Sequence, residues 1–289
     1  MNDRNVAPDT VADRLRAATP LIAAELRPPR AGLRAADAMD TWIDMAHEVG
    51  RLARHDTVLF LTDNAVGAAE EENLRHLATN LAGEVNPDRV VPFLTCKHPL
   101  DYCLLYAERV ASHGYQAITV LGGDRRAGPP RCVPHAYELR RRLRQRVPGL
   151  VLGGWANPHG DPARQVDFLL DPGFTASFYL TQIVSHHALG PVEAFVREAE
   201  RRGVAAPGVF GVFYYRSANP TTLAKLADFL PVPVEGITRD FVGGRSPAEI
   251  CARTIRRLRE IGVTRVYVSN LGVRGAAERY RAVVEAVDG

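Results

Sequence analysis

The chain has 289 residues, enough for two average domains or for one parallel α/β barrel, an architecture that runs to about 250 residues. With 46% hydrophobic and 24% charged residues and a formal net charge of +3, its composition is globular and excludes a disordered or fibrous protein. The charge is too small to argue for nucleic-acid binding, and the basic residues are almost all arginines beside Lys97 and Lys225.

Taken in order, residues 1–16 are polar and have no signal-peptide core. No apolar run reaches the ~20 residues of a membrane span, so a cytoplasmic protein without a membrane partner is expected. Cys96, Cys103, Cys132 and Cys251 form no CxxC pair and are expected as reduced thiols.

After an extension of about 18 residues, short runs rich in Val, Ile, Leu and Phe alternate with amphipathic stretches. Strands are predicted at Pro20–Leu26, Thr57–Thr62, Val90–Cys96, Ala117–Leu121, Leu150–Trp155, Ser177–Ile183, Gly208–Tyr214 and Thr264–Ser269. Helices are predicted at Ala35–Arg54, Glu70–Leu81, Leu100–His113, His135–Val147, Asp161–Leu170, Val192–Arg202, Thr221–Phe229, Pro247–Ile261 and Gly275–Val287. Continuously apolar strands imply burial on both faces, as under helices covering a parallel sheet. Eight of them, with no internal repeat and no long linker, give an α/β fold. The chain reads as a single (β/α)8 TIM barrel over 1–289, with an open doubly wound sheet as the alternative.

A barrel places its chemistry at the carboxyl ends of the strands. Those ends carry Glu25, Thr62, Asp63, Thr95, Lys97, His98, Asp124, Trp155, Asn157, His159, Gln182, Tyr214, Tyr215 and Asn270. Glu25 sits inside PLIAAEL, where desolvation raises a carboxyl pKa toward the range of a general acid; pairing with Arg27 or Arg30 is the structural alternative. Asp124 follows a Gly-Gly turn that lets a ligand approach the backbone, or else is a simple cap. Gln182 brings a donor and an acceptor toward the mouth, as recognition of an amide-like ring requires. Lys97 is a loop cation or a Schiff-base lysine. His186 and His187 are neighbours that a regular element would point apart, so no metal is expected. Arg140, Arg141, Arg142, Arg144 and Arg146 read as a solvated helix face, and Gly243 and Gly244 as a weak phosphate-binding turn.

Five segments in register resemble the methylenetetrahydrofolate reductase family. AELRPPR is similar to its FEFFPPR, FLTC to its HLTC, VLGGD to its ALRGD, YLTQ to its ITQ, and PGVFGVFYY to its PGILPV loop. The resemblance implies a (β/α)8 barrel that reduces 5,10-methylenetetrahydrofolate with electrons from NADH or NADPH. It implies Glu25 as proton donor, Asp124 as the aspartate that steadies positive charge on the pterin, Gln182 as the pterin-binding glutamine, and Tyr215 as a folate contact. Thr62 and His159 match flavin-contacting positions. Phe93, however, replaces the histidine of HLTC, Gly122 replaces the arginine of LRGD, the lysine before the family's DAGA segment has no counterpart near Leu169, and Trp155 replaces a tyrosine. These departures resemble a flavin-independent branch in which NADH reduces the folate directly, so FAD is expected to be absent and Thr62, Phe93, Trp155 and His159 to face the nicotinamide. A Schiff-base lyase using Lys97 and a non-catalytic folate-binding protein are the alternatives.

Overall fold

The computed structural model describes residues 10–29, 34–55, 57–62, 85–123 and 128–289. The predicted helix at Glu70–Leu81, together with Arg30, Asp63 and Asp124, lies outside the described residues.

Eight strands close into a parallel barrel in sequence order: β1 (Leu21–Leu26), β2 (Leu59–Leu61), β3 (Val90–Thr95), β4 (Ala117–Leu121), β5 (Val151–Ala156), β6 (Phe178–Val184), β7 (Gly208–Phe213) and β8 (Arg265–Ser269). Closure between β1 and β8 pairs Leu21 with Arg265 and Ala24 with Val268. Around the barrel run α1 (Val11–Arg16), α2 (Ala35–Ala53), α3 (Leu100–Ser112), α4 (Ala136–Arg146), α5 (Pro162–Leu170), α6 (Gly190–Arg201), α7 (Pro220–Ala227), α8 (Val234–Val242), α9 (Pro247–Glu260) and α10 (Ala276–Asp288). The open-sheet alternative is thereby excluded. No helix among the described residues is long and apolar enough to cross a membrane.

Three helices begin with the same local grammar, a capping side chain followed by proline. Asp161 accepts from the Arg164 amide, Asn219 from the Thr222 amide, and Ser246 from the Glu249 amide, whose carboxylate answers in a capping box. Each cap satisfies an N–H that has no partner within its helix, and proline at the first position donates none.

Strand parity divides the core in two. Ala24, Leu26, Leu59, Leu61, Ile118, Val120 and Leu152 face the helices, while Leu21, Ala23, Val58, Phe60, Val91, Phe93, Phe178, Leu180, Val209 and Tyr267 fill the barrel. Helix α1 lies within the stretch read as a polar extension, yet Val11 and Leu15 are each 1% exposed and join the interior cluster. Its signal is one apolar pair spaced i, i+4, too short to stand out against polar neighbours. Helix α8 is the second element beyond the sequence reading. It covers Ile183, Phe213 and Tyr215 together with α7, in a satellite cluster that also holds Ile237 and Ile250.

Large interior side chains fit because glycines face them. The Tyr267 ring crosses the barrel to donate its hydroxyl to the Thr181 carbonyl at 2.6 Å. It passes over Gly211, where a Cβ would lie 2.6 Å from the Tyr267 Oη. We therefore expect Gly211→Ala to cost about 1–3 kcal/mol, the usual overpacking penalty. Chemical denaturation checks this, and an unchanged midpoint would show that Tyr267 moves aside freely.

Candidate active site

The inward parity of each strand determines which side chains reach the mouth. Glu25 continues Leu21 and Ala23 on β1, Thr95 continues Val91 and Phe93 on β3, Trp155 continues Val151 and Gly153 on β5, and Ser269 continues Tyr267 on β8. Beneath them lies an aromatic layer in which the Phe60 ring is 6.1 Å from Phe93, 6.5 Å from Phe178 and 6.0 Å from Tyr267.

Glu25 stands at the edge of this apolar layer. Desolvation raises its pKa to about 7, against the opposing effects of a hydrogen bond from Ser269 and the charge of Arg27. Ser269 Oγ donates to Glu25 Oε1 at 2.9 Å. The carboxyl is thus half protonated near neutral pH and able to deliver a proton to a bound molecule, the condition a general acid requires. Sequence reasoning missed Ser269; its parity with Tyr267 on β8 is the signal that marks it.

The opposite wall is β6, whose pairing with β7 shifts register between Leu180 and Ile183. Such a bulge leaves ladder groups to be satisfied by side chains. Tyr267 serves the Thr181 carbonyl, the Gly211 amide donates to Thr181 Oγ1 at 3.2 Å, and His159 Nε2 donates to the Ile183 carbonyl at 2.8 Å. Gln182 folds its own carbonyl back to accept from the Ile183 amide at 3.0 Å, and its Nε2 has no partner among the described residues.

The remaining predicted residues divide. Thr62 lies at the end of β2, its hydroxyl 3.4 Å from the Leu26 carbonyl it donates to. Trp155 is 37% exposed, a large ring at the mouth. Phe93 lies deeper, in the aromatic layer, and not at the mouth. Tyr215 is 4% exposed, packed 4.9 Å from the Phe213 ring under α7 and α8, and burial pushes its hydroxyl pKa up. His159 is at the site, but its Nε2 is committed to β6.

The Gly-Gly turn before Asp124 is not open to a ligand as its glycines suggest. A Cβ on Gly122 would lie 2.8 Å from the Arg131 guanidinium, and one on Gly123 would lie 2.7 Å from Lys97 Cγ. Arg131 also donates to the Gly123 carbonyl. Its position on a loop nine residues beyond Gly122 gives no sequence signal. Lys97 is buried at 6% exposure, with Nζ donating to the Pro129 carbonyl at 2.9 Å, and is not a solvated loop cation.

Two further readings are corrected. Arg140 is 3% exposed, its Nε donating to the Phe174 carbonyl at 2.9 Å and its guanidinium carbon 4.7 Å over the Phe174 ring, so this helix face is only partly solvated. Gly243 and Gly244 follow the end of α8, and the amide next available, at the start of α9, is already capped by Ser246.

On the β6 side, His186 and His187 occupy a turn, and their rings lie 4.0 Å apart instead of diverging. Both Nε2 atoms face Asp240 Oδ2 on α8, at 3.1 and 2.7 Å. Burial and the neighbouring His187 lower the His186 pKa to about 4, although Asp240 pulls the other way.

No family model and no curated protein matches this chain. Among solved structures, an uncharacterised protein from Clostridium thermocellum, described as binding two copies of 5-methyl-5,6,7,8-tetrahydrofolic acid, superposes with a TM-score of 0.65 at 15% identity, over 94% of this chain and 96% of its own. The N-acetylneuraminate lyase of Proteus mirabilis superposes with a TM-score of 0.50 at 10% identity, over 93% of this chain and 80% of that one. Both likenesses establish the barrel fold.

The Glu25 environment has a measurable consequence. Its folded pKa of about 7 lies above the ordinary 4.5, so between those values the native state binds more protons than the unfolded chain, and stability falls as pH rises through that window. Glu25→Gln removes this contribution. We expect the variant to gain in melting temperature over the parent between pH ~5 and ~8, as this linkage requires. Parallel curves would place the carboxyl in water.

Proposed function

We propose that this chain reduces 5,10-methylenetetrahydrofolate to 5-methyltetrahydrofolate by direct hydride transfer from NADH or NADPH, without bound flavin. The observation that carries the reading is the Glu25 carboxyl, held protonated up to about pH 7 at the edge of an apolar barrel. The folate description of the Clostridium thermocellum barrel supports the substrate class.

In this mechanism Glu25 gives its proton to N10 of the folate as the bond from N10 to the methylene carbon breaks, leaving an iminium at N5. The nicotinamide C4 hydride adds to that methylene carbon, completing the methyl group and leaving the oxidised dinucleotide. Glu25 then recovers a proton from solvent. Gln182 Nε2, without a partner among the described residues, reads an acceptor on the pterin edge, and Ser269 holds the Glu25 carboxyl in its orientation. Asp124, which lies outside the described residues, is assigned to stabilise the developing positive charge.

Flavin independence draws support from the same wall. Phe93 is turned into the interior, the Arg131 guanidinium and Lys97 stem fill the space over Gly122 and Gly123, and Trp155 projects at the mouth. Without a flavin, both substrates occupy the barrel together, and nicotinamide as a two-electron donor leaves the protein to supply orientation and electrostatics.

Incubating the purified chain with methylenetetrahydrofolate and NADH, and following NADH absorbance and the folate product by mass spectrometry, tests the reading. We expect a colourless protein, sequential kinetics, no stimulation by FAD, and a rate that falls as pH rises through about 7, where Glu25 loses its proton. Glu25→Gln should lower kcat by ~10²-fold or more, the usual contribution of a general acid. Gln182→Ala should chiefly raise KM for the folate by ~10-fold, equivalent to leaving one buried group unpaired. Folate binding without NADH oxidation would favour a carrier, and a borohydride-trapped adduct on Lys97 would favour a lyase.

A further inference from the structure

A cluster on the far side of β6 is left unused by that chemistry. His186 and His187 follow β6, Asp240 lies on α8 and Thr254 on α9, so three elements meet around the histidine pair. The side chains of His186 and Asp240 are each 3% exposed and that of His187 is 17% exposed. A Cβ on Gly236 would enter the His187 ring, so that glycine is what lets the imidazole seat against α8.

The hydrogen bonds bring two imidazole nitrogens to one carboxylate oxygen. Thr254 Oγ1 donates to the Ile250 carbonyl one turn back at 3.2 Å, the usual habit of a helical threonine. The same hydroxyl lies 2.8 Å from His186 Nδ1. With the proton of the neutral ring on Nδ1, the Thr254 hydroxyl accepts it and Nε2 presents a lone pair. This lone pair points at Asp240 Oδ2 from 3.1 Å, and the same oxygen has His187 Nε2 at 2.7 Å. In that tautomer His186 Nε2 and Asp240 Oδ2 are both acceptors and can offer their lone pairs to a shared cation.

We propose that His186 Nε2, His187 Nε2 and Asp240 Oδ2 bind a divalent transition metal, zinc by preference, that clasps α8 to the end of β6. Two imidazoles and a carboxylate are a recognised ligand set for zinc. All three donor atoms lie within 4.8 Å of one another. Tetrahedral zinc, with bonds of about 2.0–2.1 Å, needs donor separations of about 3.3 Å, against 3.1 and 2.7 Å from the two imidazoles to Asp240 Oδ2. Thr254 supplies the outer hydrogen bond that orients a ligating histidine. Arg245 and Arg253 bond the other carboxylate oxygen, Oδ1, at 2.9 and 3.4 Å. They are 43% and 45% exposed, so solvent screens their repulsion, and coordinate bonds outweigh it. The site's occupancy is independent of the folate reading.

The experiment titrates the full chain, stripped with a chelator, with Zn²⁺ against a chromophoric competitor, and with Co²⁺ under visible absorption. We expect one equivalent bound, cobalt bands of a nitrogen and oxygen site without thiolate charge transfer, and a higher melting temperature with zinc. His187→Gln should abolish the equivalent, and Thr254→Val should weaken binding by ~10–100-fold, the usual effect of an outer-shell partner. Absence of a stoichiometric equivalent in the parent, unchanged affinity in Thr254→Val, or a thiolate band would each overturn the site. Circular dichroism establishes that His187→Gln is folded; should it not be, Thr254→Val decides alone.

Discussion

The candidate site depends on a half-buried carboxyl group at the end of a barrel whose interior is apolar and aromatic. Glu25 can hold its proton near neutrality only while Phe60, Phe93, Phe178 and Tyr267 fill the space beneath it, because any water admitted there would stabilise the carboxylate and return the group to its ordinary range. The Ser269 hydrogen bond works against that shift, yet it fixes the orientation of the carboxyl. Burial therefore sets the proton's energy and Ser269 sets its direction. The two effects come from adjacent strands, β1 and β8, joined at the closure of the barrel.

Closure also imposes a volume constraint, met by placing glycine opposite a large ring or a long stem. Gly153 faces Phe178, Gly211 faces Tyr267, Gly122 faces Arg131, and Gly236 faces His187. In each pair the space vacated by one side chain is taken by another of the same chain, which is how dense packing is kept without uniform residue size. A glycine pair such as Gly122-Gly123 in the sequence consequently says that something comes close, without saying whether it is a ligand or a neighbouring arginine.

This explains how far the sequence could be read. The eight strands and their order were legible, because continuous Val, Ile, Leu and Phe runs separated by amphipathic segments have few alternative solutions. The inward position of Glu25 at a strand end was legible from the parity of PLIAAEL, while its pairing with Arg27 or Arg30 was left open by the sequence. Helix α1 was not, since its contribution is only Val11 and Leu15, and α8 was not, since it follows a proline-rich stretch after α7. Arg140 was read as solvated because periodicity cannot distinguish an arginine over Phe174 from its exposed neighbours Arg141 and Arg142. The histidine pair was dismissed on the geometry of regular elements, and it lies in a turn.

Strand β6 is where these constraints converge. Its register shift frees carbonyls that a regular ladder would use, and Tyr267 from β8 and His159 from the β5 loop take them up on one side. On the other side the strand runs directly into His186 and His187, which tie it to Asp240 and so to the α7 and α8 cover over Ile183. Gln182 sits between the two sets of anchors. Its side-chain carbonyl accepts from the Ile183 amide, and its amide nitrogen has no partner among the described residues. A bulge held this tightly on both flanks costs ladder hydrogen bonds that a straight strand would keep, and it leaves Gln182 at the end of β6 with its side-chain carbonyl turned back to the Ile183 amide.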